Sequence, residues 1–382
     1  KTDQGTQGTL IDGGGKSACQ LLLTRIRNTP ALGGNWMMVP PLRLGLNPKQ
    51  EGITVYFNST NLIFTGPWHF RGAANPSAST PVAPVIAYTD TWTNCLPDTK
   101  VPAGQPNEGI PSNQLAGQWS YLKPVTIGPQ ELPLRFPAAI DRPPFLTSFW
   151  DTENERAIKL FSFHAGTAGA AVTGTNQIAR IPEVSSDLVA DEVRVILGDF
   201  NVDVLDAETS NIAFSNILSA GYTQQIRATR DQWPDKGYIG THLLATIRAT
   251  PWNTNGYPGY GYLGSSNGDI CPDNIFTLHQ GDAPASNLTI VNRITGTPYS
   301  AIDPAPDNTP EGHYTYYTGM MPNYVVLPLG SIPQALPLPP GGPNNGGGTL
   351  PPVIGATDNP TTFFRGWTNY ARIRSTSDHL AL

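Results

Sequence analysis

The sequence predicts a folded α/β domain, and three observations carry that expectation. Apolar, strand-like runs recur at 51–57, 60–65, 157–163, 193–197 and 274–279. Two stretches, 17–28 and 207–220, space their apolar residues as helices do. One strand run, VRVIL at 193–197, is apolar towards both faces, as a strand buried inside packed layers must be.

The elements follow in chain order. Residues 1–16 are rich in Gly and Thr and carry no periodicity. The helix at 17–28 (KSACQLLLTRIR) sets Cys19, Leu22, Leu23 and Ile26 near one face. EGITVYF (51–57) and TNLIFT (60–65) read as two strands separated by Asn58 and Ser59, a hairpin-like pattern. Residues 72–130 are rich in Pro, Ala, Thr and Gly and read as a long insertion with short strands of its own, VIAYTDTW and QWSYLKPV. Strands resume at AIKLFSF (157–163) and VRVIL (193–197). The helix at 207–220 places Ile212, Phe214, Ile217 and Leu218 on one side, and Gly221 is a suitable stop. NIFTLH (274–279) is another strand. A second insertion spans roughly 280–366; its stretch PLPPGGPNNGGGTLPP (337–352) excludes helix and interior strand. The chain closes on a strand signal, YARIRSTSDHLAL. A single domain over 1–382, interrupted by the two insertions, is expected.

Composition bounds the function. Hydrophobic residues make up 39%, with 8 Trp, 14 Tyr and 13 Phe, too many for a disordered chain. Gly and Pro sum to 39 + 38 = 77 of 382 residues, which reads as a core carrying long loops. The net charge of -6 argues against nucleic-acid binding through a globally basic surface and leaves a local basic groove open. No apolar run approaches the roughly 18–20 residues that span a bilayer, and no charged-then-apolar leader follows Lys1. Cys19, Cys95 and Cys271 are too scattered for a CxxC zinc site and allow at most one disulfide. Scarce Lys with abundant Thr, Asn, Gly and Pro leans towards an extracellular or periplasmic protein.

The sharpest local signal is VRVILGDFNVD at 193–203. Asp199 and Asn201 stand two apart at a strand end, where alternate side chains point the same way. The carboxylate can orient water or bind a hard cation, and the carboxamide can hold a phosphate oxygen without adding negative charge. An ordinary strand-to-turn transition uses the same residue types. Four further strand ends carry polar residues of catalytic type: Glu51, His164 in SFHAG, Asp273 in PDNIF, and Asp378-His379 in TSDH. If those strands share a sheet, the ends converge. His69, His242, His279 and His313 show no metal-ligand spacing and read as structural or surface residues. WNTNGYPGYGYLG (252–264) reads as a packed loop, with base or sugar stacking as the alternative. Asn58-Ser-Thr and Asn287-Leu-Thr are glycosylation sequons.

GDFN, the SDH near the C-terminus, the strand-borne His164 and the Arg-Pro of DRPPF together resemble the endonuclease/exonuclease/phosphatase superfamily, in the order Glu, Arg, His, Asp-x-Asn, Asp, Asp-His. The resemblance implies a four-layer α/β sandwich, two packed mixed β-sheets flanked by helices, with the site at the strand ends. It implies metal-dependent phosphodiester hydrolysis, most nearly nuclease-like, on DNA or RNA. It also implies a Mg²⁺ or Mn²⁺ cofactor, whose ligands would include Asp199 and Asp378. His379 would be the general base and Asp273 its orienting carboxylate. His164 would hydrogen-bond the scissile phosphate and be fixed by Glu51. Asp199 and Asn201 would position water and phosphate, and Arg142 would bind phosphate at the rim.

The sequence departs from that pattern at the N-terminal end. The family's metal-binding Glu is expected shortly before the 17–28 helix, where KTDQGTQGTLIDGGG contains none. A chain clipped at both ends is the simpler expectation, and an enzyme that has lost its metal ligand is the other. Two further readings stay open. One is a sphingomyelinase- or inositol-phosphatase-like enzyme, for which Trp68, Trp92 or the 252–264 loop would dock on lipid. The other is a non-catalytic binding module on the same fold.

Overall fold

The computed structural model describes residues 9–45, 50–69, 92, 94–119, 125–127, 130–132, 142–167, 169–189, 191–204, 206–226, 241–242, 271–280, 289–290, 299–300 and 379. The expected C-terminal strand (beyond His379 itself), the 337–352 loop, the 252–264 loop and Asp378 lie outside them. The chain forms two compact units. The first holds residues 1–201, 212–224 and 275–284, and the second holds 202–211, 225–274 and 285–382.

Elements run in the order α1 (Gly13–Arg27), β1 (Trp36–Val39), β2 (Arg43–Leu44), β3 (Glu51–Gly52), β4 (Val55–Asn58), β5 (Leu62–Gly66), β6 (Trp68–His69), β7 (Leu115–Ala116), β8 (Gln118–Trp119), β9 (Val125–Ile127) and β10 (Gln130–Leu132). They continue with β11 (Phe145–Asp151), β12 (Arg156–His164), α2 (Gly169–Gln177), α3 (Pro182–Ser185), β13 (Val193–Asp199), α4 (Ala207–Ser219), β14 (Thr223–Gln224), β15 (Asp273–His279), β16 (Thr289–Ile290) and β17 (Tyr299–Ser300).

A seven-stranded sheet carries the fold, in the order β14-β15-β13-β12-β11-β5, with β8 paired to β11. It is mixed: β12 runs antiparallel to β11 and parallel to β13. The parallel pairing requires a crossover, and the segment holding α2 and α3 supplies it. On one face of this sheet lies the antiparallel pair β1–β4. Phe57 of β4 packs against Phe64 and Phe149 of the large sheet, with ring centroids 6.5 and 5.0 Å apart. Outside that pair lies α1, where the Tyr56 hydroxyl of β4 donates to the Cys19 carbonyl at 2.9 Å. On the opposite face Phe163, Phe200, Phe214 and Phe276 form a second aromatic cluster beneath α4. Helix, sheet, sheet, helix is therefore the layering within the first unit, as expected. The partner sheet among the described residues is an antiparallel pair, not a mixed sheet.

The two runs at 51–57 and 60–65 are not a hairpin. β4 pairs with β1, while β5 pairs with β11. The Asn58–Asn61 connection carries the chain from one sheet to the other, so the apolar residues of both strands meet face to face across the core. Asn58 Oδ1 accepts from the Asn35 and Thr60 amides at 3.1 and 3.0 Å, which stabilises that crossing. The described part of the 72–130 stretch is integral to the core: Trp92, Cys95, Leu96, Val101 and Leu115 are all buried with the inter-sheet residues. Trp92 is 2% exposed and is thereby removed as a lipid-docking side chain.

Two helix faces differ from the expected ones. In α1, Leu23 is buried, Cys19 and Ile26 are half-buried, and Leu22 is 49% exposed. In α4, Ala213, Phe214 and Ile217 are buried, whereas Ile212 and Leu218 face solvent. Gly221, with φ of 91°, ends that segment as expected. All three cysteines are free thiols.

Candidate active site

β12 and β13 run parallel and in register, which sets His164 directly beside Asp199 at their ends. Gly198 makes this closeness possible. Its φ is 140°, and a Cβ there would collide with the Phe163 carbonyl of β12. Glu51, on β3, reaches the same point. Its Oε2 accepts from His164 Nδ1 at 3.0 Å, and Oε1 lies 2.8 Å from the same nitrogen. The other ring nitrogen, Nε2, lies 3.3 Å from Asp199 Oδ2.

Arg142 pairs with Glu51 through Nη1 at 2.5 Å and donates from Nη2 to the Ala165 carbonyl at 2.8 Å. It is expected at the rim of a phosphate site; here its guanidinium is anchored on Glu51 and on the backbone. Asn201 adopts a left-handed conformation, φ 49°, which Asn tolerates better than most residues. Its amide N–H donates to Asp199 Oδ1 at 2.8 Å, and its Nδ2 donates to the Ala165 carbonyl at 3.1 Å. The Ala165 amide in turn donates to the Asp199 carbonyl at 2.8 Å. Ala165 is thus a buried backbone hub joining Arg142, Asn201 and Asp199. No side-chain pattern could have announced it, because only its peptide groups act. Of the group, the His164 side chain is the most exposed, at 37% against 14% for Asp199, so a ligand reaches the imidazole first.

The second unit holds its own histidine–carboxylate pair. His379 Nδ1 donates to Asp273 Oδ2 at 2.6 Å, short even for a charge-assisted contact. The side chains are 22% and 14% exposed. Beside them stand two residues that the sequence reading did not select for chemistry. The Asp273 amide donates to the buried Thr241 hydroxyl at 3.4 Å. His242 forms a backbone bridge with His379, and their rings meet nearly perpendicular with centroids 4.7 Å apart. Spacing along the chain could not reveal His242, since 137 positions separate it from His379. Cys271 is fully buried; burial first, then the neighbouring Asp203 and Asp273 charges, push its thiol well above its ordinary value, so it is no nucleophile.

Two comparisons returned nothing: no protein-family model and no curated protein matches the sequence. Among solved structures the chain is similar to a D. rerio TDP2 humanised by 14 mutations, at 11% identity and a TM-score of 0.30, over 70% of this chain and 68% of that one. It is similar also to the human Nocturnin catalytic domain with bound sulfate anion, at 9% identity and a TM-score of 0.29, over 68% of this chain and 63% of that one. Likenesses this distant assign no activity, and the functional reading rests on the residues above.

Among the described residues, no three His, Cys, Asp or Glu groups stand together so as to hold a metal ion. Asp199 is already engaged through Oδ1 with the Asn201 amide and through Oδ2 with His164. Glu51 is engaged with Arg142 and His164. These groups alone do not supply the several converging oxygen ligands that a divalent cation takes. Asp378, the other expected ligand, lies outside the described residues.

Proposed function

We propose that this protein hydrolyses phosphodiester bonds, with a nuclease-like preference for DNA or RNA. The observation that carries the reading is that each of two strand-end histidines, selected from sequence, has a carboxylate on its Nδ1: Glu51 on His164 and Asp273 on His379. A carboxylate there fixes the ring's orientation and tautomer and makes Nε2 the nitrogen that acts in this reading; in His164 that nitrogen must leave Asp199, 3.3 Å away, to reach a substrate.

In this reading His379 Nε2 takes a proton from the attacking water, and Asp273 stabilises the imidazolium that forms. The water oxygen bonds to phosphorus as the bond to the leaving oxygen breaks. His164, held by Glu51, donates to a phosphate oxygen and offsets the charge that builds there. Asp199 and Asn201 fix the geometry around that ring, and Arg142 acts by holding Glu51. Dependence on Mg²⁺ or Mn²⁺ belongs to the proposal and is supported by the sequence resemblance alone; no step above runs through an ion.

Plasmid nicking by the purified chain in Mg²⁺, in Mn²⁺ and in EDTA tests this. The expected outcome is metal-dependent nicking that falls by about 10²–10⁴ in His379→Ala and in Asp199→Ala. Undiminished nicking by His379→Ala overturns the assignment of the base, and full activity in EDTA overturns the metal. Release of phosphocholine from sphingomyelin vesicles without nicking moves the substrate to a lipid.

A further inference from the structure

The Asp273–His379 pair is gripped by two consecutive residues. Thr241, fully buried, accepts the Asp273 amide on its hydroxyl at 3.4 Å. His242, the next residue, pairs its backbone with His379 and sets its ring perpendicular to the His379 ring at 4.7 Å. An antiparallel bridge places the two side chains on the same side, so the ring contact and the backbone bridge reinforce each other. The His379 ring turns about its Cβ–Cγ bond only by breaking its 2.6 Å contact with Asp273, and a neighbour packed against the ring raises the cost of that turn. The His242 ring is that neighbour. Edge-to-face packing at this separation is an attractive arrangement between aromatic rings.

We propose that Thr241-His242 is a positioning element, in which His242 is an aromatic wall that holds the His379 imidazole in the orientation and tautomer set by Asp273. His242 takes no part in proton transfer. The inference rests on the proposed role of His379 in catalysis, and it adds a residue that neither motif nor spacing indicates.

The test uses the full chain as wild type, His242→Ala and His242→Phe, with melting temperatures recorded for all three. Phe keeps an aromatic ring and removes both nitrogens. Hydrolysis of bis(p-nitrophenyl) phosphate is followed in Mg²⁺ and in Mn²⁺. In His242→Ala, kcat is expected to fall by roughly 10- to 100-fold with little change in KM, the size of effect that misplacing a catalytic group produces. His242→Phe is expected to recover most of the loss. Separately, ¹⁵N-histidine labelling reads the tautomers of the 6 imidazoles, with His379→Ala identifying the His379 signals. His379 is expected as the Nδ1–H form in wild type and in His242→Phe, and as a mixture in His242→Ala. Activity unchanged in His242→Ala overturns the proposal. So does failure of a folded His242→Phe to recover, because a nitrogen would then be required. So does a His379 signal identical in wild type and His242→Ala. If the wild type hydrolyses no phosphodiester, the proposed function fails, and the tautomer signals still decide whether His242 holds His379.

Discussion

Glu51 stands between the Arg142 guanidinium at 2.5 Å and the His164 ring at 2.8 Å. Glu51→Gln keeps the shape and removes the charge. It is expected to lower kcat by about 10²-fold or more, as loss of a held acid–base group does, with the melting temperature as the check that Arg142 is still accommodated. Arg142→Ala should show part of the same loss, since Arg142 acts through Glu51. If both variants nick plasmid as wild type does, this cluster is structural. Gly198 is the other single-residue test. Gly198→Ala must move β13 away from the Phe163 carbonyl or strain a backbone whose φ is 140°. The expected result is a protein destabilised by at least about 1–3 kcal/mol in urea unfolding, with activity reduced because Asp199 follows immediately. Most of these site residues are legible in the sequence, because a polar residue ending an apolar run is visible without a structure. Ala165, Thr241 and His242 are not, because a peptide carbonyl, a hydroxyl and a ring contact act here through space alone.

At the scale of elements, β13 carries chemistry at one end and stability at the other. Just before it and within it, Glu192 and Arg194 are 2% and 1% exposed and joined at 2.7 Å. Arg194 also donates to the carbonyls of Val184, Ser186 and Asp187, at 3.1, 2.6 and 2.9 Å, which closes the end of α3. Arg194→Met leaves those acceptors and Glu192 short of a partner, and should cost about 3–5 kcal/mol by denaturant unfolding. Burial raises the Glu192 carboxyl, but hydrogen bonds from Arg194 and Lys159 outweigh it and hold the group below its ordinary value. A depressed carboxylate stabilises fully above its unfolded value, about 4.3, and that contribution is lost as the pH falls through the folded value. Melting temperature should therefore drop on acidification below about pH 5, and the slope should be shallower in Glu192→Gln. A slope identical in both proteins sinks that account. The helices were legible as helices, their faces less so. Apolar side chains lie all round 212–218, and the sequence does not say which ones Phe200 and Phe276 will cover; packing selects Phe214 and Ile217 and leaves Ile212 and Leu218 outside.

At the scale of the whole molecule, the proposed function asks two separately built pairs to serve one reaction. Residues that act as one catalytic unit give non-additive losses. The double variant His164→Ala/His379→Ala should therefore be scarcely worse in kcat than the poorer single variant. Losses that multiply would mean that the two histidines act independently, and a single acid–base mechanism would be wrong.

The sequence by itself determined the α/β class, the strands near 60–65, 157–163, 193–197 and 274–279, the helices near 17–28 and 207–220, and the strand-end polar groups; it did not mark β1, β11 or α2. Each feature it did mark is written in local periodicity, and local periodicity follows from backbone geometry. Only the tertiary structure decided which strands pair. Nothing between residues 58 and 61 distinguishes a turn within one sheet from a passage between two, and here Phe57, Phe64 and Phe149 settle it by packing across the core. Only the tertiary structure set the register that places His164 beside Asp199, and only it brought Glu51 to a histidine 113 residues away. Contacts of that separation depend on which apolar faces bury one another, and that is a property of the folded chain as a whole.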